Sequence, residues 1–161
     1  MFESTPIDFA DKPKAYATLA AQLTALLHGE SDFIANSANT AALLSHALPD
    51  LNWAGIYRCV DGQLVLGPFQ GRPACVRIRL GQGVCGTAAA NRQTVRVPDV
   101  RQFPGHIACD AASQSEIVVP LVKAGRLLGV LDLDSPKLNR FDAADQAGLE
   151  KLAAVLVAAS D

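Results

Sequence analysis

Four cysteines give this sequence its clearest capacity for chemistry, at positions 59, 75, 85 and 109. A free thiol has a pKa of ~8.5, so it is mostly protonated at neutral pH unless its surroundings favour the thiolate. Cys85 follows a glycine turn that begins a predicted helix, and a helix N-terminus favours the thiolate. Cys109 follows His106 by three residues, although that spacing fixes no contact in an irregular loop. Cys85 and Cys109 are therefore candidates for redox chemistry, whereas Cys59 is interpreted as an inert buried thiol.

Cys109 lies in residues 101–116, RQFPGHIACDAASQSE, which fit neither a helix pattern nor a strand pattern. Irregular segments of more than ~12–15 residues are uncommon in compact domains and are usually functional or disordered. Phe103, His106 and Ile107 are not typical of a disordered linker. We therefore predict a lid that carries a reactive thiol.

Metal binding is an alternative use for these thiols. No Cys-x-x-Cys pair is present, and structural zinc sites usually contain such a closely spaced pair. A site built from Cys75, Cys85, His106 and Cys109 stays open as a minor alternative. We expect neither a metal nor a cofactor.

Aromatic residues share one face of a predicted strand. Trp53, Gly55 and Tyr57 lie on the same side, because side chains alternate along a strand. Gly55 would leave a gap between the two rings. This arrangement suits either plain core packing or an aromatic box for a small ligand, with the glycine as its floor.

Acidic residues occupy two further predicted strands. Asp132 and Asp134 continue the face that bears Leu128, and a three-residue turn would bring Glu116 near Asp134. Either these acids are simply solvated at a strand end, or they converge on a pocket. In a pocket, mutual repulsion would raise one pKa and leave a protonated acid near neutrality. Such a pocket could bind an ammonium group and also donate a proton.

A glycine motif precedes the short helix that begins near Cys85. Gly81 to Gly86 spell G-x-G-x-x-G, the pattern of a dinucleotide-binding turn. That helix is too short for a Rossmann crossover, and neither Asp99 nor Asp110 clearly supplies the ribose-binding acid. The glycines are interpreted either as a structural turn or as a seat for a small anion such as a carboxylate at a helix N-terminus.

Hydrophobic periodicity predicts the elements that must position these groups. Ser31 is expected to cap the second helix, with Ile34 and Ala38 facing inward, and Asp142 to cap the last. Consecutive hairpins between terminal helices predict an α+β fold, a central antiparallel sheet with the N- and C-terminal helices packed on one side. Helices are predicted at 14–28 and 31–47, at the short segment after 81 and from 142 onward, and strands at 52–60, 63–70, 75–80, 94–97, 117–122 and 127–134, with turns at 61–62 and 124–126.

Composition excludes several classes of protein. The net charge is −2 and only 6% of the residues are aromatic, so nucleic acid is not an expected partner. No apolar run reaches the ~20 residues of a membrane helix, and the N-terminus lacks the pattern of a signal peptide. We expect residues 1–161 to form one domain in the cytoplasm, without a membrane partner.

Several strings in order resemble free methionine-(R)-sulfoxide reductases, which are enzymes of GAF fold: NWAGIYR, LVLGPFQGRPACVRIRLGQGVCGTAAA, GHIACDAASQSEIVVPL and GVLDLDS. The likeness extends from the second helix to the last and implies a single GAF-like domain. It also implies reduction of free L-methionine-(R)-sulfoxide, with thioredoxin as the reductant. A homodimer is compatible with the resemblance, although the sequence identifies no dimer surface.

The resemblance assigns roles to particular residues. In that family the thiol of GHIAC attacks the substrate, here Cys109, and the thiol of ACVRI recycles it, here Cys75. Cys85 is an additional candidate for disulfide formation, and Cys59 receives no role. The substrate pocket implied by the resemblance comprises Trp53, Tyr57, Glu116, Asp132 and Asp134.

The implied reaction passes through sulfenic acid on Cys109 and a disulfide with Cys75. Carboxylates near Cys109 would oppose its ionisation, so either the substrate ammonium offsets them or Cys109 lies on the helix-dipole side of the pocket. The main alternative is a GAF module that senses a small molecule without chemistry. Such modules usually accompany effector domains, for which this chain has no room.

Overall fold

The computed structural model describes residues 6–107 and 110–161. Within these residues six strands form one sheet in the order β3-β2-β1-β6-β5-β4, and every neighbouring pair is antiparallel. In chain order the elements are α1 (Lys12–Leu26), α2 (Phe33–Ala47), β1 (Trp53–Val60), β2 (Gln63–Gly71), β3 (Arg77–Arg79), α3 (Gly83–Asn91), β4 (Val95–Val97), a 3₁₀ turn (Val100–Gln102), β5 (Ser115–Lys123), β6 (Arg126–Ser135) and α4 (Ala143–Ala159).

One face of the sheet packs against α1, α2 and α4, as the sequence predicts. Alternation along β1 directs Ala54 and Ile56 to this face, where they meet Leu19 of α1 and Leu149 of α4. All four side chains are fully buried. This cluster is the larger of two apolar cores among the described residues, and it holds the terminal helices on one side of the sheet.

The opposite face of the sheet carries the second core. Trp53 and Tyr57 of β1 point to this side, together with Val130 of β6, and they pack against Val84 and Ala88 of α3. The short α3 covers only part of this face. The remainder is covered by irregular segments, so a cavity can form between the sheet and the loops.

Helix capping agrees with the sequence at α4 and differs at α2. Asp142 caps α4 as expected, and its carboxylate accepts from the backbone N–H groups of Ala144 and Asp145. The predicted Ser31 cap of α2 is wrong, because the carboxylate of Asp32 accepts from the Ala35 N–H at 2.7 Å. The helix therefore begins later than Ser31 would place it.

The inward face of α2 is more polar than expected. Ile34 is 41% exposed and Ala38 is also exposed, so their predicted burial is wrong. Asn36 is buried instead, and its Nδ2 donates to the carbonyl of Ala159 at 3.2 Å and to Ser160 Oγ at 3.1 Å. These bonds join α2 to the end of α4. They fix the orientation of α2 so that its polar residues face inward and Ile34 faces outward.

The hairpin between β5 and β6 closes differently from the prediction. Its turn contains two residues, Ala124 and Gly125, both with positive φ, and Lys123 pairs with Arg126. A bulge at Leu128, which has no partner in β5, adds one residue to β6 and restores the register that a three-residue turn would give. Leu128 therefore packs in the helix-side core, not on the face of the acids as predicted.

The predicted strand at 75–80 is reduced to Arg77–Arg79. Only these three residues pair with β2, at its first residues Gln63–Val65. Residues 72–76 are thus irregular, and Ala74 and Cys75 among them border the second core. None of the described helices is both long enough and apolar enough to span a bilayer.

A buried carboxylate ties α1 to α4. Asp145 is fully buried and accepts from Tyr16 Oη at 2.8 Å, from Lys12 Nζ at 2.6 Å and from the backbone N–H of Asp142 at 2.9 Å. Arg140 Nη1 lies 3.1 Å from the same carboxylate. Gly148 allows the close approach, because a Cβ there would lie 2.1 Å from the Tyr16 ring.

We expect Asp145→Asn to lower the free energy of unfolding by about 3 kcal/mol, because it leaves the buried Arg140 guanidinium without its carboxylate partner. Urea unfolding at neutral pH measures this change. Asp50→Asn is the matched control, since Asp50 pairs at the surface with Lys137, which is 62% exposed, and exposed pairs contribute less than about 1 kcal/mol. Equal losses in both variants would contradict the role of the buried network.

Candidate active site

A cavity opens on the second face of the sheet, where β1, β5 and β6 meet the N-terminus of α3 and the predicted lid. Its walls combine aromatic rings, carboxylates, one thiol and backbone of α3. The lining residues include Trp53, Tyr57, Arg72, Gln82, Gly83, Val84, Cys85, His106, Ile107, Asp110, Ser113, Glu116, Asp132 and Asp134.

Strand register brings the three predicted acids together at this cavity. Glu116 of β5 lies directly opposite Asp134 of β6. Asp132 precedes Asp134 by one alternation, so both project to the same face. Glu116 and Asp132 are only 6% and 5% exposed. A solvated strand end therefore does not describe these two carboxyl groups.

Burial shifts the titration of all three acids in the same direction. The pKa of Glu116 lies well above its ordinary value because of burial first and the Asp134 charge second. The pKa values of Asp132 and Asp134 are also raised, again chiefly by burial and then by a neighbouring carboxylate. Mutual repulsion, the cause expected from the sequence, is thus the second contribution. Folding thus shifts each of these acids toward its protonated form relative to an exposed carboxyl group.

Cys85 lies against this cluster. Its Sγ is 3.9 Å from Glu116 Oε1, and the residue is buried. Burial raises the pKa of the Cys85 thiol well above its ordinary value, and the charges of Asp132 and Glu116 raise it further. The prediction that the α3 N-terminus makes Cys85 a reactive thiolate is therefore wrong, because burial among acids outweighs the helix dipole.

The aromatic side chains form a stack of three rings. Trp53 stacks with Tyr57 at a centroid distance of 5.9 Å and with Phe69 of β2 at 5.3 Å. Of the two alternatives for Gly55, the structure favours packing within the protein over a floor for a ligand. A Cβ there would lie 2.5 Å from the Trp53 ring and 2.4 Å from the Phe69 Cβ, so Trp53 itself fills the gap. Phe69 was not predicted from the sequence, although pairing of Gly55 with Phe69 in the β1–β2 hairpin identifies it.

The lid borders the cavity on both sides of the residue pair 108–109. Cys109, the predicted nucleophile, lies outside the described residues. Ile107 and Asp110, which flank that pair, both line the cavity. His106 Nε2 lies 3.6 Å from Glu116 Oε2, and burial lowers the pKa of the imidazole, so it is mostly neutral at pH 7.

Asp110 fastens the described part of the lid. Its carboxylate accepts from the Ala112 N–H at 2.9 Å and from Asn52 Nδ2 at 3.1 Å, and these bonds lower its pKa. Arg72 Nη1 lies 3.7 Å from the same carboxylate. Asn52 also donates to Ser113 Oγ at 3.0 Å. The sequence offered no signal for Asn52 or Arg72, because only the tertiary contact reveals their roles.

Cys75, the predicted recycling thiol, follows cavity-lining residues 72–74 directly. It is partly buried against the second core, and its carbonyl accepts from Tyr57 Oη at 3.1 Å. Cys59 borders a separate surface cavity with Arg58 and Leu127. Three of the four cysteines are thus located, and Cys75 and Cys85 approach the cavity while Cys59 does not. Cys59 is only partly buried, so its predicted full burial is wrong.

Two features could hold small charged groups. Among residues 6–107 and 110–161 no side chain caps the N-terminus of α3, and Gln82, Gly83 and Val84 line the cavity, as the predicted anion seat requires. Within the same residues, one carboxyl oxygen of the acid cluster, Asp132 Oδ1, is buried without a hydrogen-bond partner. A ligand with both a positive and a negative group would satisfy these two features.

The alternative metal set of Cys75, Cys85, His106 and Cys109 is not tested, because Cys109 lies outside the described residues. Ligand atoms of Cys85, Glu116 and Asp132 lie within 4.8 Å of one another, and all three residues are buried. The sequence could not predict this group, because its members come from three separate elements.

The fold and cavity define a GAF domain: residues 17–160 match the family model described as GAF domain. The chain is 55% identical to a free methionine-R-sulfoxide reductase of Escherichia coli, covering 91% of this chain and 88% of that protein. It is 45% identical to one of Saccharomyces cerevisiae, over 81% and 77% of the two chains. The solved structure of a free methionine-R-sulfoxide reductase from Neisseria meningitidis, in complex with its substrate, superimposes with a TM-score of 0.93, at 45% identity over 99% and 95% of the two chains. The chain belongs to the free methionine-R-sulfoxide reductase family.

We expect Glu116→Gln to stabilise the unliganded protein at pH 8. An acid whose pKa is raised by folding loses stability as pH rises from its unfolded pKa toward its folded pKa, whereas glutamine does not ionise. The gain should be about 1 kcal/mol or more, since one pKa unit corresponds to about 1.4 kcal/mol.

Unfolding by urea at pH 8 and at pH 4 measures this gain. It should nearly vanish at pH 4, where the glutamate is largely protonated in both states. A gain that is equal at both pH values would contradict a protonation-linked cause. Glu150→Gln serves as the control, because it makes the same substitution at an exposed position of α4.

Proposed function

We propose that this chain is an oxidoreductase that reduces free L-methionine-(R)-sulfoxide to L-methionine, acting as one domain over residues 1–161. Membership of the family supports this substrate class. The observation that carries the proposal is the buried acid cluster, with Asp132 Oδ1 unpartnered, beside the stack of Trp53, Tyr57 and Phe69. A free amino acid brings a positive group, a negative group and an apolar end, and the cavity offers a match for each.

The substrate binds with its ammonium at the acid cluster. No cationic side chain of the described cavity lining pairs with Glu116, Asp132 or Asp134. An ammonium would supply both positive charge and N–H donors, including one for Asp132 Oδ1. The substrate carboxylate would accept from backbone N–H groups at the start of α3. The S-methyl group would pack on Trp53 and Tyr57. Because ammonium and carboxylate are both recognised, the free amino acid is favoured over a residue within a peptide.

Cys109 performs the chemistry in this proposal. Its thiolate attacks the sulfoxide sulfur, the oxygen passes to Cys109 as sulfenic acid, and the substrate sulfur becomes a thioether. A protonated carboxyl of the cluster hydrogen-bonds the sulfoxide oxygen and donates the proton that the oxygen gains. The raised pKa values of Glu116, Asp132 and Asp134 support this donor role, because each favours the protonated acid.

Protonation of one acid, together with pairing of the ionised acids with the substrate ammonium, also removes an objection to a Cys109 thiolate. Ionised carboxylates without a cation would raise the pKa of a neighbouring thiol, whereas a neutral carboxyl group or a carboxylate paired with ammonium does so far less. Asp110 remains ionised, since its pKa is lowered, but its charge is partly balanced by Arg72 at 3.7 Å. The arrangement therefore tolerates an anionic nucleophile next to acidic residues.

Recycling proceeds through a disulfide. The thiol of Cys75 condenses with the sulfenic acid of Cys109, which releases water, and an external dithiol such as thioredoxin reduces the disulfide to two thiols. A disulfide requires Cα atoms within about 7 Å. The contact between Arg72 and Asp110 supports this step, because it joins the segment that leads to Cys75 with the residue that follows Cys109. Cys85 is the less suitable partner, since it is buried and its pKa is raised.

We expect Cys109→Ser to reduce turnover of free L-methionine-(R)-sulfoxide by at least 10³-fold while substrate binding persists. Methionine release under saturating thioredoxin measures turnover, and calorimetric titration measures binding. Full activity of this variant would falsify the nucleophile assignment. Binding without turnover in the unaltered protein would instead indicate a sensing module.

Cys75→Ser should release about one methionine per chain and then stall under thioredoxin, because the sulfenic acid can form but the disulfide with residue 75 cannot. Rapid-quench analysis of methionine measures the burst. Cys59→Ser is the matched control and should cycle normally, since Cys59 borders a different cavity. Steady cycling of Cys75→Ser would assign recycling to another thiol, with Cys85→Ser as the variant that identifies it.

A further inference from the structure

The acid cluster has no cation of its own among the described residues that line its cavity. Glu116, Asp132 and Cys85 are all buried, and Asp134 lies beside them. The one arginine at this cavity, Arg72, is 77% exposed and contacts Asp110. Buried anions must be protonated or must be paired with a cation, because an isolated buried charge is costly. Any cation that fits the cluster therefore gains a strong electrostatic partner.

The donor set is suited to a metal ion. A thiol sulfur and two carboxylate oxygens lie within 4.8 Å of one another, and Cys85 Sγ lies 3.9 Å from Glu116 Oε1. Zinc bonds of ~2.3 Å to sulfur and ~2.1 Å to oxygen place tetrahedral ligand atoms about 3.6 Å apart. The Cys85 Sγ–Glu116 Oε1 distance of 3.9 Å therefore needs to shorten by a few tenths of an ångström, and no pair of ligand atoms needs to approach by more than about 1.2 Å. Asp132 Oδ1, buried without a partner, supplies a free lone pair at the cluster.

We propose that Cys85 Sγ, Glu116 and Asp132 bind one divalent ion of borderline softness, Zn²⁺ above all, in the place that the substrate ammonium would occupy. A mixed sulfur and oxygen set favours Zn²⁺ over Mg²⁺ and Ca²⁺, which require oxygen ligands. Binding displaces the protons of the three groups, and a water molecule completes the coordination. The ion and the amino acid exclude each other, so this site makes the enzyme sensitive to free zinc.

Exclusion of the amino acid rests on the proposed function, whereas metal binding does not. The first experiment therefore measures the metal alone. Co²⁺ replaces Zn²⁺ as a coloured probe and is added without oxygen to the full chain after removal of reductant. We expect one Co²⁺ to bind per chain. The thiolate-to-cobalt charge-transfer band should have the intensity of a single thiolate ligand. The band should disappear in Cys85→Ser and persist in Cys59→Ser and Cys75→Ser.

Carboxylate variants keep the test decisive if Cys85→Ser does not fold. Glu116→Gln and Asp132→Asn should each weaken Zn²⁺ binding at least tenfold by calorimetry, whereas Asp110→Asn should not. Loss of the band in Cys109→Ser with its retention in Cys85→Ser would overturn the proposal and assign the metal to the lid thiol. Absence of any thiolate band would also overturn it.

A final titration with L-methionine separates the two proposals. Methionine should displace Co²⁺ and reduce the band, with an apparent metal affinity that falls in proportion to methionine concentration. A band that persists at saturating methionine would overturn mutual exclusion. A protein that binds Co²⁺ through Cys85 but shows neither methionine binding nor turnover would retain the metal site and lose the proposed function.

Discussion

The burial of three carboxyl groups and a thiol at one cavity is the constraint on which the rest of the site depends. The ionised form of each group would be more stable in water, and burial is the main cause of each raised pKa. Apolar packing of the second core, with Trp53 and Val130 on the same face, holds them there against that cost. A bound cation removes this cost of burial. The unliganded protein is therefore less stable, and the same free energy contributes to its affinity for a charged ligand.

Strand register converts this constraint into geometry. Glu116 meets Asp134 only because the bulge at Leu128 adds a residue to β6. Without the bulge, the two-residue turn at Ala124 would shift every pairing beyond it by one position, and a one-residue shift moves side chains to the opposite face. The hairpin that appears to be a scaffold detail thus determines whether the acids face the cavity or the helices.

This hairpin also explains how much of the site the sequence could predict. The sequence predicted a meeting of Glu116 with Asp134 from a three-residue turn, and the meeting is correct although the turn is not, because turn and bulge compensate. Alternation along β1 correctly placed Trp53 and Tyr57 on one face. The titration of Cys85 could not be predicted, since it depends on acids contributed by other elements. Likewise, Asn52 and Arg72 acquire a role only through their contact with Asp110.

The two faces of the sheet have different roles: the helix side stabilises the fold, and the cavity side forms the site. The helix side has continuous apolar contacts and the Asp145 network, in which every buried charge has close partners. The cavity side has Asp132 Oδ1 without a partner and a lid fastened through Asp110, chiefly by Asn52. Satisfied polar groups stabilise one fixed arrangement, whereas an unsatisfied one favours whichever ligand completes it. The stability of the helix side therefore compensates for the destabilising groups of the cavity side. Of the two buried aspartates, Asp145 stabilises the fold, whereas Asp132 is available to a ligand.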